Sequence, residues 1–163
     1  MKLPVSFREL LPSLGCALAI TALCTLHNRL LVPGIGSALL LISIGASAIL
    51  VFGVPHSPFS TARAVLTSHS LSALLGVCCA TCIPKEPLAA GAAVGLSLAT
   101  MRILRCVHPP AGSSALLAVM GGESIRALGF SFVLNPVLLN AAALCLLATL
   151  LNHFRKPHEP PTN

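Results

Sequence analysis

Charged residues are scarce in this chain, and tryptophan and tyrosine are absent from it. Asp, Glu, Lys and Arg make up 9% of the 163 residues, whereas hydrophobic residues make up 55%. A soluble domain normally carries about 25% charged residues. A soluble helical bundle also needs polar outer faces that recur at the helical period, and the long apolar runs of this sequence lack them. The sequence therefore argues against a soluble globular domain.

The few charges predict neither a nucleic-acid-binding protein nor an enzyme. The formal net charge is +6, but the basic residues flank hydrophobic runs, which is how membrane helices are anchored. Trp and Tyr, on which nucleic-acid bases commonly stack, are missing. Only four residues are acidic, and no pair of carboxylates lies within an apolar run. No serine or cysteine has a recognisable base beside it either, so no catalytic arrangement is predicted.

Long uncharged runs predict helices that cross a membrane. No charged residue occurs between Arg29 and Arg63, and residues 34–54 in that interval are almost all apolar or small. A helix of about 20 apolar residues spans the hydrocarbon core of a bilayer. Similar runs lie at 64–84 and 127–154. We therefore expect an all-α, polytopic membrane helix bundle that forms a single domain over residues 1–163 and contacts lipid.

Proline and glycine residues divide these runs into about five spanning helices and one shorter piece. The predicted spans are 10–31, 35–54, 64–83, 88–104 and 129–151, and residues 111–121 are too short to span and predict a half-helix. Asn135 and Pro136 predict a kink in the last span, and 155–163 predict a disordered tail. We expect a multi-pass protein of the cell's inner (plasma) membrane. Small residues on the second and fourth helices favour close helix packing, within one chain or in a homo-oligomer.

The seven cysteines leave an alternative function open. Their odd number and their position inside predicted spans argue against a disulfide framework. Imidazole and thiolate groups together suit zinc or copper, so a metal-ion or redox membrane protein is the alternative prediction, although no resident cofactor is expected. A scaffold without a substrate is a weaker third. The residues that the metal or redox alternative would use are His56, His69, His108, Cys78, Cys79 and Cys82.

Two proline-containing breaks resemble each other within the sequence. A shift of the chain by 52 residues superposes three pairs of residues, namely His56 on His108, Pro58 on Pro110 and Thr61 on Ser113. Membrane transporters are often built from internal repeats, with the substrate site where the repeats meet. If two spans separate the breaks, both open on the same side of the membrane. The pattern then predicts one vestibule that the two breaks share.

The strongest local motif, residues 108–114 (HPPAGSS), predicts a site for a small anion. The first turn of a helix presents free N–H groups and a partial positive charge, Gly112 allows close approach to the backbone, and Ser113 and Ser114 add hydroxyl donors. His108 adds an imidazole that donates a hydrogen bond or carries a charge. Together these features form a cradle for an anion, and nearby arginines add attraction. The predicted substrate-binding residues are His56, Ser60, Thr61, Arg63, Arg102, Arg105, His108, Pro109, Pro110, Gly112, Ser113 and Ser114.

The two motifs together resemble the HPP family of membrane proteins, which is named for its His-Pro-Pro motif. The resemblance rests on residues 52–58 (FGVPHSP), on the region of His69 and above all on residues 107–115 (VHPPAGSSA), and it extends over about 10–151. It implies a small integral membrane protein. Similar members in cyanobacteria and chloroplasts are nitrite transporters, so the resemblance implies a channel or transporter for nitrite or a related inorganic anion.

Overall fold

The structure is a computed structural model that describes residues 7–30 and 35–153. Within these residues every regular element is helical, which confirms the predicted all-α class. Two predictions fall elsewhere in the chain: the break at Pro33 and Gly34, and the tail at 155–163, lie outside the described residues.

Four long helices form the first part of the chain. They are α1 (Phe7–Leu30), α2 (Ile35–Gly53), α3 (Ala62–Cys82) and α4 (Glu86–Ile103). The ends of the helices predicted for this region differ from these by at most three residues. A 3₁₀ turn, Pro58–Ser60, separates α2 from α3. The Thr61 hydroxyl accepts a hydrogen bond from the Ala64 amide and caps α3.

The second part of the chain is more broken than the sequence predicted. A second 3₁₀ turn, Pro109–Ala111, leads into the short helix α5 (Gly112–Met120), and one further turn of helix forms α6 (Glu123–Arg126). The single helix predicted at 129–151 does not begin at Gly129, which has a positive φ of 51°. Instead, a π-helical segment (Val133–Leu138) leads into α7 (Leu139–His153). Asn135 leaves helical geometry with φ −131° and ψ 112°, as the predicted kink requires.

Two helical stretches in the described residues are long and apolar enough to cross a bilayer, Ala62–Cys82 and Val133–Leu151. Two shorter apolar stretches, Leu10–Thr25 and Ile42–Gly53, lie within α1 and α2. Many large apolar side chains face outward, and Ile49 on α2 and Ile103 on α4 are 70% and 79% exposed. An outer surface of this kind suits contact with lipid or with another apolar partner.

The helices pack in two groups, and the polar residues described below lie between them. In the first group α3 packs closely on α5, because a Cβ atom on Gly76 would lie only 2.6 Å from the carbonyl oxygen of Ala115 and 2.7 Å from the Cβ of Ala118. In the second group α1, α2 and α7 share an apolar core that includes Leu23, Ile44, Phe52 and Leu144. The two groups meet where α2 contacts α5 and where α3 contacts α7.

Candidate functional site

The His-Pro-Pro motif lies inside the bundle and not at its end. The helix that follows it, α5, has nine residues and α4 has 18, which corresponds to about 14 Å and about 27 Å. Arg126 in α6 pairs with Glu86 at the first residue of α4, with 2.9 Å between Nη2 and Oε2. The chain after α5 therefore returns to the end where α4 begins. Because α5 is only half as long as α4, the motif lies part-way along α4.

His108 is fully buried and bonded through both ring nitrogens. Its Nδ1 lies 2.7 Å from the carbonyl oxygen of Phe59, and its Nε2 lies 2.9 Å from the hydroxyl of Ser47. A carbonyl oxygen only accepts hydrogen bonds, so Nδ1 must carry a hydrogen and donate it to Phe59. This bond joins the two proline-containing breaks, since Phe59 belongs to the first break and His108 to the second.

A second buried histidine completes the cluster. The Nε2 of His69 on α3 lies 2.9 Å from the same Ser47 hydroxyl, and its Nδ1 lies 2.8 Å from the hydroxyl of Ser114. The centroids of the two imidazole rings are 5.2 Å apart. All four side chains are fully buried. Ser47 therefore bridges two histidines, and we call His69, Ser47, His108 and Ser114 the histidine cluster.

Serines from the same helices extend the histidine cluster. Ser43 lies one turn before Ser47 on α2, and its hydroxyl is 2.6 Å from the hydroxyl of Ser113. Ser68, next to His69, donates to the carbonyl oxygen of Cys106. Ser72 lies one turn after Ser68 and is fully buried, but its hydroxyl has no hydrogen-bond partner among the described residues. Buried hydroxyls without a partner are unusual, so this one is available to a ligand or to water.

The hydrogen-bond donors of the motif already have partners within the protein, whereas the predicted anion cradle needs free donors. The amide of Ala111 donates to the carbonyl oxygen of His108, and the amide of Gly112 donates to the carbonyl oxygens of Pro109 and Pro110. The reason is local, because the 3₁₀ turn folds the first amides of α5 back onto the preceding carbonyls. The hydroxyls of Ser113 and Ser114 also bond within the protein. An anion at this turn must therefore displace existing bonds.

The predicted residues of the first break are separate from the histidine cluster. The hydroxyl of Ser60 lies 3.0 Å from the carbonyl oxygen of Leu50 and 2.7 Å from that of Val54, which caps the end of α2. Thr61 caps α3, as described above, and His56 is exposed on the surface. The structure thus gives Ser60 and Thr61 capping contacts and does not bring His56 to the buried site.

The three predicted arginines lie on the outside, beside the breaks. Arg63, in the first turn of α3, donates from Nη2 to the carbonyl oxygen of Leu104 at 3.3 Å, which holds it against the end of α4. Arg102 and Arg105 are exposed at that same end of α4. Among the described residues no carboxylate lies within ion-pair distance of any of the three. Their charges therefore produce a positive potential at this end of the bundle.

Comparison with known proteins assigns this helical chain to a family of membrane proteins. The family model described as HPP, transmembrane region, matches residues 3–161. The chain belongs to the HPP transmembrane family. This membership makes it a membrane protein, in agreement with the resemblance that the two motifs carry.

Two proteins of Dictyostelium discoideum, both named as transmembrane proteins, are similar to this HPP chain. One is 36% identical over 123 residues, which is 73% of this chain and 43% of the relative. The other is 32% identical over 152 residues, which is 91% of this chain and 48% of the relative. The chain thus spans less than half the length of these curated relatives. No solved structure matches it significantly.

Sequence reasoning missed Ser43 and Ser47 as site residues of this HPP protein. Both lie in an apolar helix, where a serine also serves as a small packing residue. The available signal was their spacing, because residues four apart on a helix share one face. Among the candidate residues, His69 was named only for the metal or redox alternative. Ser68 and Ser72 are buried on α3 as His69 is, so the three polar residues share one buried face.

Of the residues named for the metal or redox alternative, only His69 and His108 meet, and the cysteines lie away from them. His69 lies seven residues after the start of α3, and Cys82 is its last residue, so about 20 Å of helix separates them. Cys82 is also exposed. Within the described residues no three side chains of His, Cys, Asp or Glu come together as a metal site would need.

Proposed function

We propose that this protein is a channel or secondary transporter for a small inorganic anion, with nitrite as the first candidate. The observation that carries the proposal is the histidine cluster itself, a buried polar group in a membrane domain. It lies close to a surface with three arginines that have no carboxylate partner in the described part of the chain. Polar and ionisable groups inside a membrane are costly, and they usually line the path of a substrate or ion.

The depth of the cluster supports this interpretation. Ser47 lies six residues before the end of α2, and His69 lies seven residues after the start of α3. At the rise of an α-helix these positions are about 9 Å and 10 Å from the end that carries the first break. The hydrocarbon core is about 30 Å thick, so an ion that reaches the cluster has passed about a third of it.

The chemistry of the surrounding groups suits an anion. Arg63, Arg102 and Arg105 attract negative charge to the breaks, and the positive end of the α5 dipole points toward the motif. Hydroxyls that now bond each other, such as Ser43 and Ser113, can replace part of the hydration shell of an anion. Nitrite is small, carries one negative charge and accepts hydrogen bonds at its oxygens. Nitrite transport by similar family members makes it the first anion to test.

We propose five membrane crossings, formed by α1, α2, α3, α4 and the stretch Val133–Leu151. In this arrangement α5 is a half-helix that enters the bundle without crossing it, and the protein is a multi-pass component of the plasma membrane. The apolar outer surface contacts lipid, and its exposed residues on α2 also offer a surface for a second copy of the chain.

Uptake into proteoliposomes tests the proposal. The purified protein is reconstituted, and entry of nitrite, nitrate and formate is measured against protein-free vesicles. We expect nitrite entry that falls when Ser113 is replaced by alanine. The control is Ser97→Ala, because the hydroxyl of Ser97 donates only to the carbonyl oxygen of Ala93 in its own helix. Absence of entry for all three anions, with helical protein in the vesicles, would refute the proposal.

A further inference from the structure

The hydrogen atoms of the histidine cluster can be placed by elimination. Nδ1 of His108 donates to a carbonyl oxygen, so in the neutral ring Nε2 is an acceptor. The hydroxyl of Ser47 must then donate its single hydrogen to that Nε2. It has none left for His69, so Nε2 of His69 must donate to the Ser47 oxygen. Nδ1 of His69 is then an acceptor, which receives the hydrogen of Ser114.

The neutral cluster is therefore one continuous chain of donors, each pointing the same way. It runs from the Ser114 hydroxyl through His69 and Ser47 to His108, and it ends at the carbonyl oxygen of Phe59. The two histidines are in opposite tautomers, with the hydrogen on Nε2 in His69 and on Nδ1 in His108. Every polar atom of the four side chains in this path has a partner.

The same heavy-atom positions also accommodate one additional proton. The Ser47 oxygen lies 3.2 Å from the carbonyl oxygen of Ser43, which is a second acceptor for its hydrogen. If Nε2 of His108 gains a proton, the Ser47 hydroxyl turns to Ser43, and its oxygen accepts from Nε2 of both histidines at 2.9 Å. A second extra proton would place two imidazolium rings with centroids 5.2 Å apart, which their repulsion opposes. The capacity of the cluster is one proton.

We propose that the histidine cluster is a binding site for one proton, and that this proton crosses the membrane together with the anion. The second part of the proposal rests on the proposed function. A single buried positive charge is costly without a partner, and an anion beside it removes that cost. Anion and proton then favour each other's binding by the same factor.

Few other titratable groups face the histidine cluster. The sequences of α2 and α5 contain none, although both helices pack against the histidines. On α3 the nearest is Arg63, exposed in the first turn of that helix, and on α4 the nearest is Arg102 near its end. The loop before the motif adds Arg105 and the buried Cys106. The first break adds the exposed His56, and Cys145 lies on α7. No carboxylate is among these groups, so the anion itself is the charge that balances the proton.

The transfer steps balance in protons and need no other reactant. A proton that arrives at the Ser114 oxygen forms an O–H bond there, while the former Ser114 hydrogen passes to Nδ1 of His69. The hydrogen on Nε2 of His69 passes to Ser47, and the Ser47 hydrogen passes to Nε2 of His108. The proton on Nδ1 of His108 is released toward the first break. One proton enters the chain and one leaves it.

Nitrogen-15 NMR of histidine tests the proton site without any transport. The full-length protein is labelled at its six histidines and placed in lipid nanodiscs, and the variants His69→Gln and His108→Gln assign the two signals. We expect opposite tautomers at high pH and uptake of one proton by the pair of rings when the pH is lowered. Added nitrite should increase that uptake. Two rings in the same tautomer, or no uptake by either ring, would overturn the proton site.

Proteoliposome uptake tests the coupling and separates it from anion transport. With an acid exterior we expect protons, followed by an internal pH dye, to enter with nitrite. Ser47→Ala should reduce the stimulation by acid about tenfold, as loss of one buried hydrogen-bond partner implies, whereas Ser97→Ala should keep it. Nitrite entry at the same rate with and without a pH gradient would overturn the coupling and leave the anion function intact. If no anion enters at all, the anion function and the coupling both fail, and the NMR result alone decides the proton site.

Discussion

Replacement of Ser47 by alanine should destabilise the bundle more than any other serine-to-alanine change in α2, α3 or α4. The Ser47 hydroxyl bonds to Nε2 of both His69 and His108 at 2.9 Å, and all three residues are fully buried. Its removal leaves one donor and one acceptor without partners. Each such group costs about 1–3 kcal/mol, so the simple sum is about 2–6 kcal/mol.

The lower end of that range is the better expectation. Hydrogen bonds between membrane helices average only about 0.6 kcal/mol, because polar groups of a partly unfolded chain also find partners in the membrane. We therefore expect Ser47→Ala to lower the free energy of unfolding by about 2–3 kcal/mol, which is the cost of two poorly satisfied ring nitrogens. Ser97→Ala is the matched control, because its hydroxyl bonds only to the carbonyl oxygen of Ala93 one turn earlier. That carbonyl keeps its helical bond, so the change should stay within about 0.5 kcal/mol.

Helicity by far-UV circular dichroism during titration of micelles with dodecyl sulfate provides the measurement. Tryptophan fluorescence is not an option, since the chain has no Trp. Both variants lose the same hydroxyl from a fully buried position, so their difference isolates the bridge between the histidines. If Ser47→Ala unfolds at the same dodecyl sulfate fraction as Ser97→Ala, the reasoning about the bridge is wrong.

Three further predictions concern packing and the charged surface. Gly76→Ala should lower the free energy of unfolding by about 1–3 kcal/mol, because a Cβ there meets α5; Gly91→Ala, where a Cβ meets nothing within 4 Å, should not lower it in the same titration. Arg63→Gln should slow nitrite uptake several-fold at low salt and much less at high salt, where screening weakens the attraction. Arg126→Gln, at the opposite end of the bundle, provides its control, and equal effects of the two changes would contradict the role of Arg63. His56→Gln should leave uptake within about twofold of the wild type, as expected for an exposed residue. A large loss of uptake would indicate that His56 does bind the substrate, as the sequence predicted.

The structure brings the two predicted breaks together and adds polar residues that the prediction did not include. The His-Pro-Pro motif and the region of the first break do lie against each other, through the bond from His108 to Phe59. The superposition of His56 on His108 did not predict equal environments, because one ring is exposed and the other is buried. A pattern of identities along the chain carries no information about which side of a turn faces the bundle.

The sequence by itself determined the class of the protein and the approximate bounds of its first four helices. Low charge, long apolar runs and the positions of proline and glycine are local properties, and they act on the backbone within a few residues. They were enough to predict an all-helical membrane protein, a short helix after the motif and a kink at Asn135.

Only the tertiary structure decided which polar side chains meet. Ser47, His69 and His108 lie on three different elements, 22 and 39 residues apart in sequence, and no local rule relates them. Their contact depends on the rotation of α2 and α3 and on the depth at which α5 begins, which follow from packing between helices. For the same reason, only the assembled bundle determines that one hydroxyl serves two imidazole rings.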